Sequence, residues 1–160
     1  MSVAVVEVPP ASRTENSSRV RRLFRDLAPS AGVSTAVTVI YTALATARFH
    51  TMQCGVDLAI FAQATQQYAR GELPRSDLKA VDQFNLLGDH FSPIIALAAP
   101  LYRLCPHVWI LLVLQSVLVG LTTFLLSRAA TALLGNSWGV VVGVLYGFAW
   151  GTQALALYEF

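Results

Sequence analysis

Three long runs of the chain lack charged side chains, and each is long enough to cross a lipid bilayer. They are residues 30–47, 108–126 and 138–158. Crossing the hydrocarbon takes about 20 mostly apolar residues in a helix. Backbone amides in lipid must pair within their own segment, so we interpret all three runs as transmembrane helices. The first run is the weakest, because hydroxyl side chains interrupt it between Ser34 and Thr46.

The first run has a second interpretation. A basic arm, an apolar centre and Ala45-Thr-Ala47 together resemble a secretory signal with its cleavage site. However, residues 1–29 form a longer polar arm than signal peptides carry, and the chain inserts again later. We therefore expect an uncleaved first span, with a signal peptide as the alternative.

Basic residues before the first span predict its orientation. Five arginines precede it, namely Arg13, Arg19, Arg21, Arg22 and Arg25. Cytoplasmic flanks collect Lys and Arg, so we expect a cytoplasmic N-terminus in a multi-pass protein of the plasma membrane. Residues 1–29 are predicted to be a disordered basic arm and residues 30–160 the membrane domain. Residues 48–107 then form a large outer loop.

Residues 93–104 are apolar but are not predicted to span. Twelve residues reach about 18 Å as a helix, against about 30 Å of hydrocarbon. Ser92 and Pro93 suit the cap and first position of a short helix at the outer surface. On this topology Asp57 and Glu159 share one side of the membrane. A fourth crossing would separate them.

Residues 56–70 contain no Pro or Gly and are predicted to form an amphipathic helix that stops at Gly71. Its apolar face is expected to comprise Ile60, Phe61, Ala64 and Tyr68. Asp57 falls in the first turn, where a carboxylate stabilises the helix N-terminus. The alternative is a general base or a metal-facing carboxylate at the bilayer surface, and both interpretations stay open.

The rest of the outer loop offers further polar candidates. Asp89 and His90 lie in its densest polar cluster, which suits either a simple turn or a pocket lining. Arg70, Arg75, Lys79 and Arg103 are candidates for binding lipid phosphates, or are solvated charges. Cys54 and Cys105 are both placed outside, where a disulfide is chemically allowed. No histidine spacing matches a zinc site.

Gly139, Gly143, Gly147 and Gly151 recur every four residues in the last span. Glycine lets another helix backbone approach closely in lipid. The row predicts close packing inside a multi-helix bundle, either with spans of this chain or with those of a longer one. A homo-oligomer seam is the alternative.

Composition excludes an ordinary soluble domain. Apolar residues make up 55% of the chain and charged residues 12%, against about 25% charged in soluble proteins. No phosphate-binding glycine loop, nucleophile elbow or nucleic-acid-binding patch is visible, so we expect lipid and no nucleic acid as partner. The predicted fold class is all-α integral membrane, with three spans and amphipathic helices in the outer loop.

Four motifs resemble an uncharacterised family of bacterial predicted membrane proteins that is common in actinobacteria and related to the GT-C glycosyltransferases. The motifs are Asp57-Leu-Ala-Ile-Phe-Ala-Gln63, Asn85-Leu-Leu-Gly-Asp-His-Phe-Ser-Pro93, Ala99-Pro-Leu-Tyr102 and Tyr158-Glu-Phe160. The resemblance implies the N-terminal part of a GT-C-like polytopic fold. It also implies transfer of a sugar from a polyprenyl-phosphate carrier at the outer face. Asp57, Asp89, His90 and Glu159 would then form the catalytic pocket.

The chain departs from the family pattern at two kinds of position. Ala59 and Ala62 stand where the family usually has Gly and Asp, so a second acid beside Asp57 is missing. No cofactor is therefore assigned, and a divalent metal stays an open alternative. The last motif normally continues into a His, and we expect this chain to be a fragment that is inactive alone. A non-enzymatic membrane scaffold and a transporter segment are the other function classes.

Overall fold

The computed structural model describes residues 13–51, 55–76, 84–88 and 93–158. Within these ranges the helices are α1 (Arg13–His50), α2 (Val56–Arg70), α3 (Ala99–Leu104), α4 (Trp109–Leu134), α5 (Asn136–Gly147) and α6 (Trp150–Tyr158). Strand β1 (Arg75–Ser76) pairs antiparallel with β2 (Phe84–Asn85). Two 3₁₀ turns follow, at Leu86–Gly88 and Pro93–Ala98. The predicted all-α class is confirmed.

Two helical stretches are long and apolar enough to cross a membrane, Arg25–His50 and Trp109–Leu134. Helices α5 and α6 pass the same test as a pair, although they are bent by 52° at the break between them. The segment Pro93–Leu104 is a shorter apolar helix, consistent with the prediction that it does not span. The protein is therefore an all-α membrane protein with two or three spans.

Helix α1 begins earlier than the sequence interpretation allowed. Residues 1–29 were predicted to be disordered, but the helix already runs from Arg13 and continues through Pro29. Residues 13–28 contain no Gly or Pro. They extend a helix that the membrane span has already nucleated, so each added residue costs little. Pro29 lies inside this helix, where it removes its own backbone N–H from the helical ladder and its ring crowds the carbonyl of Arg25, four residues earlier.

The third span was predicted as one helix and is instead broken after Gly147. The break frees backbone carbonyls, and side chains satisfy two of them. The Tyr41 hydroxyl donates to the Gly147 carbonyl at 2.6 Å, and Gln153 Nε2 donates to the Phe148 carbonyl at 2.7 Å. Because glycine has low helix propensity and these bonds replace the helical ones, the bend is tolerated in lipid.

Helices α1, α4 and α5 form the bundle through small and hydroxyl side chains. Ser127 Oγ donates to Ser30 Oγ at 2.8 Å, and Ser34 Oγ donates to the Gly120 carbonyl at 2.7 Å. Lipid supplies no hydrophobic drive between helices, so close packing and hydrogen bonds hold them together. Ser34, one of the hydroxyl residues that interrupt the first apolar run, thus joins α1 to α4.

The α5–α6 pair traverses the bundle rather than turning back. Helix α4 starts at the end of the bundle against which α2 packs, here called the loop end. Gly139 at the start of α5 lies against Ser127, in the last third of α4. Leu155 in α6 accepts a hydrogen bond from Gln115, two turns into α4. Successive residues of α5 and α6 therefore contact positions of α4 that lie nearer and nearer the loop end.

Contacts with α1 give the same direction. Gly143 lies against Val33 and Gly147 against Val37, so α5 runs parallel to α1. At the loop end, Trp109 Nε1 donates to Thr46 Oγ1 at 2.8 Å, which joins the start of α4 to the end of α1. Helix α6 consequently finishes at the loop end.

Candidate functional site

Helix α2 carries Asp57 and has the predicted bounds, Val56–Arg70. It ends because Gly71 adopts a left-handed conformation with φ 80°, which is strained for other residues. The Gly71 N–H donates to the Tyr68 carbonyl at 3.0 Å. The predicted helix and its stop signal are both confirmed.

The buried face of α2 differs in part from the predicted one. Its buried residues are Leu58, Ile60, Ala62, Ala64 and Thr65, whereas Phe61 and Tyr68 are half-buried. Leu58 and Ala62 join a core cluster with Ala45 of α1 and Leu111 of α4. Helix α2 therefore lies across the loop end of the bundle, and Asp57 is exposed in its first turn there.

An apolar groove of about 400 Å³ lies between α2, the Pro93–Ala98 turn and the first half of α4. Phe61 forms its α2 wall and Leu118 is its furthest residue along α4. Phe61 follows Asp57 by four residues, so both side chains lie on the same face of α2 about one turn apart. The structure thus places a carboxylate beside an apolar groove at one end of the helical bundle.

Two glutamines of α2 hydrogen-bond to strand β1. Gln63 Oε1 accepts a hydrogen bond from Ser76 Oγ at 3.1 Å, and Gln67 Oε1 accepts one from the Arg75 backbone N–H. No contact with this strand was predicted for either glutamine. Their spacing of four residues, which aligns two amides on one side of a helix, was the available signal.

One of the four basic candidates contacts the helix that carries another. Arg103 Nε donates to the Ala69 carbonyl in the last turn of α2, and Arg70 is the next residue along that helix. A helix C-terminus favours positive charge because its last carbonyls lack helical partners. Arg103 therefore docks α3 onto α2. Arg75 is exposed in β1, and Lys79 lies outside the described residues.

Three of the four catalytic candidates also fall outside the described residues. They are Asp89, His90 and Glu159. Glu159 directly follows Tyr158, the last residue of α6, which reaches the loop end where Asp57 lies. Among the residues that the structure describes, no three His, Cys, Asp or Glu side chains are grouped to hold a metal. Cys105 is an exposed free cysteine, and Cys54 lies outside the described ranges.

The four glycines of the row differ in how closely other helices approach them. A Cβ on Gly147 would lie 2.6 Å from Cγ2 of Val37, and one on Gly139 would lie 2.8 Å from the Ser127 carbonyl. Gly143 is similarly enclosed by α1 and α4, whereas Gly151 has no neighbouring heavy atom within 4 Å of a built Cβ. Three of the four glycines therefore serve packing within this chain, and Gly151 faces open space.

Residues 48–160 match the family model described as "Predicted membrane protein (DUF2079)". The chain belongs to this family. The match includes the whole outer loop and helices α4 to α6, so it covers the groove and every candidate residue named above. No curated protein and no solved structure matches the chain. As a DUF2079 member with apolar spanning helices, the protein is located in a membrane.

Proposed function

We propose that this DUF2079 protein is part of a GT-C-like glycosyltransferase that uses a polyprenyl-phosphate sugar donor at the outer face of the plasma membrane. One observation carries the proposal: Asp57 lies one helical turn from an apolar groove at the loop end. A lipid-linked donor needs a hydrocarbon environment for its chain and polar groups for its reacting end. The groove and Asp57 offer the two side by side.

The proposed reaction assigns Asp57 the role of general base. The acceptor hydroxyl oxygen bonds to the sugar C1 while the bond between C1 and the phosphate oxygen breaks. Polyprenyl phosphate leaves with that electron pair, and the hydroxyl proton passes to the Asp57 carboxylate. If a divalent metal takes part, Asp57 is the described carboxylate placed to hold it.

The remaining roles follow from position and charge. Arg70 and Arg103 lie at the C-terminus of α2, about 20 Å along the helix from Asp57, so we assign them to a lipid headgroup phosphate and not to the phosphate bonded to the sugar C1. Arg75 and Lys79 belong to the same proposed phosphate-binding group. Asp89, His90 and Glu159 complete the pocket on the family resemblance alone.

The test is Asp57→Asn in a full-length protein in vesicles that contain a polyprenyl-phosphate sugar. We expect sugar transfer to fall by about 10²- to 10⁴-fold, the usual contribution of a general base. Insertion should not change, and because Asp57 is exposed, losing its charge from the first turn of α2 should lower stability only slightly. Glu72→Gln, at an exposed acid just beyond α2, is the matched control and should retain activity. Equal transfer rates in the two variants would remove Asp57 from the mechanism.

A transporter segment is a second candidate, and the break between α5 and α6 is the observation that favours it. Transporters build substrate sites from discontinuous membrane helices. In that case Asp57→Asn would leave solute flux intact, whereas changes at Phe148 would alter it. A scaffold would keep its assembly in both variants and show neither transfer nor flux.

A further inference from the structure

We propose that the break between α5 and α6 is a two-state hinge, in which Tyr41 and Gln153 hold the bent form against closure into one continuous helix. Each of these side chains occupies a carbonyl that the closed helix would use for its own backbone hydrogen bond. The inference rests on these hydrogen bonds and does not depend on the proposed transfer reaction.

Tyr41 occupies an acceptor that a backbone donor would use in a continuous helix. There each N–H donates to the carbonyl four residues earlier, so the Gly147 carbonyl would accept from Gly151. In the bent form it accepts from the Tyr41 hydroxyl at 2.6 Å. Because the Tyr41 ring is buried in the bundle, packing fixes the hydroxyl at this position.

Gln153 replaces a backbone donor one residue further along. The Phe148 carbonyl would accept from Thr152 in a continuous helix, and it accepts instead from Gln153 Nε2 at 2.7 Å. A third side chain holds the bent form from outside the junction, because Gln115 Nε2 donates to the Leu155 carbonyl at 2.7 Å. Three side-chain donors therefore oppose closure.

Three backbone donors are left without acceptors at the break. Among the residues that the structure describes, the N–H groups of Trp150, Gly151 and Thr152 reach no backbone or side-chain acceptor. They lie near the middle of the membrane, since Gly147 packs against Val37, halfway along the first spanning stretch. Unpaired backbone groups are costly in hydrocarbon, and closure would pair all three. Closure thus exchanges three side-chain hydrogen bonds for three backbone ones, so the number of hydrogen bonds favours neither form.

Closure would move the end of α6. The bend is 52°, and Tyr158 lies ten residues beyond Phe148, or about 15 Å along the helix. Straightening a helix of that length through this angle displaces its end by about 13 Å. Ala156, which packs with Val37 and Val119 in the bent form, would leave the bundle core. The hinge therefore sets whether α6 ends against the bundle or away from it.

The test measures the distance between α4 and α6 by double electron–electron resonance in lipid nanodiscs. Spin labels are attached at Val117→Cys and Leu155→Cys, both exposed positions, in a background with Cys54→Ser and Cys105→Ser. Val117 lies on the side of α4 opposite Gln115, so movement of α6 away from Gln115 lengthens this distance. Leu155 lies about 10 Å beyond the junction, and closure should displace it by about 9 Å.

Removing the side-chain donors should shift the hinge towards the closed form. Tyr41→Phe keeps the ring, and we expect the ratio of long to short distances to rise about 2- to 13-fold, the factor that corresponds to one hydrogen bond. Tyr146→Phe is the matched control near the end of α5, because its hydroxyl has no partner in the described part of the chain. It should keep the wild-type ratio. A triple variant with Tyr41→Phe, Gln153→Leu and Gln115→Leu should show mainly the long distance.

Trp150→Pro separates closure from a general loosening of α6. Proline is tolerated at the first position of a helix, so the bent form accommodates it. In a continuous helix it would remove the Trp150 N–H and crowd the Tyr146 carbonyl. Trp150 is exposed, so little packing is lost. Added to the triple variant, Trp150→Pro should restore the short distance.

Two results would overturn the proposal. The first is a triple variant that keeps the short distance of the wild type. The second is a long distance that persists after Trp150→Pro, because α6 would then be loose and not continuous with α5. If the triple variant does not fold, Tyr41→Phe with and without Trp150→Pro makes the same comparison. No transfer assay is involved, so a failure of the proposed reaction leaves this result standing.

Discussion

Replacing Gly147 by Val tests the packing that holds α5 against α1. Val37 is fully buried at this contact, with 0% of its surface exposed. A Cβ on Gly147 would already lie 2.6 Å from Val37 Cγ2, well inside contact distance. A valine also adds two γ-methyl groups there, so α5 must move away from α1 or Val37 must leave its rotamer.

The expected cost follows from comparison within the glycine row. Overpacking a filled interior costs about 1–3 kcal/mol. Gly151→Val is the matched control, because the same side chain enters open space and no clash results. Differences in helix propensity are similar for both changes and largely cancel. We therefore expect Gly147→Val to be about 1–3 kcal/mol less stable than Gly151→Val, or about 5- to 150-fold in the unfolding equilibrium.

The free energy of unfolding is to be measured by steric trapping in bicelles for wild type and both variants. Val37→Ala added to Gly147→Val should recover part of the loss, because it removes the γ2-methyl group that clashes. If the two glycine variants are equally stable, or if Val37→Ala only adds to the damage, the contact between Gly147 and Val37 does not support the bundle as described.

Two further predictions test the loop end. Cysteines placed singly at Asp57 and Glu159 should react with a membrane-impermeant reagent from the same side, and one at Asn136 from the opposite side, because contacts along α5 and α6 climb to the loop end. Labelling of positions 57 and 159 from different compartments would refute the three-crossing topology. Arg103→Ala should raise hydrogen exchange in the last turn of α2, since it removes the donor to the Ala69 carbonyl, whereas Arg70→Ala should have little effect. Unchanged exchange in both variants would remove Arg103 from the docking of α3.

The helix that carries Asp57 was predictable because its signals are local. A run without Pro or Gly between Gly55 and Gly71 specifies both ends of α2 through backbone conformation alone. Its buried face was predicted only in part. Leu58 and Ala62 are buried because α1 and α4 pack against that side of α2. The pattern of apolar residues within α2 does not show which side other helices will cover.

The glycine row was also predictable only in part. Spacing alone indicates that another backbone comes close, yet it cannot distinguish the enclosed Gly147 from the open Gly151. That difference arises from the break after Gly147, which turns α6 away from the line of α5. The early start of α1 is another case, because a charged segment gains helical structure from the membrane span that it adjoins.

The amino-acid sequence by itself determined that this protein is a membrane protein. Uncharged runs of bilayer length have no stable alternative to helices when water is absent, and that constraint acts on each segment alone. Only the tertiary structure decided where α2 lies, that an apolar groove opens one turn from Asp57, and that Gln115 reaches α6. These features join residues far apart in the chain. They depend on the angles at which helices cross, which local composition does not specify.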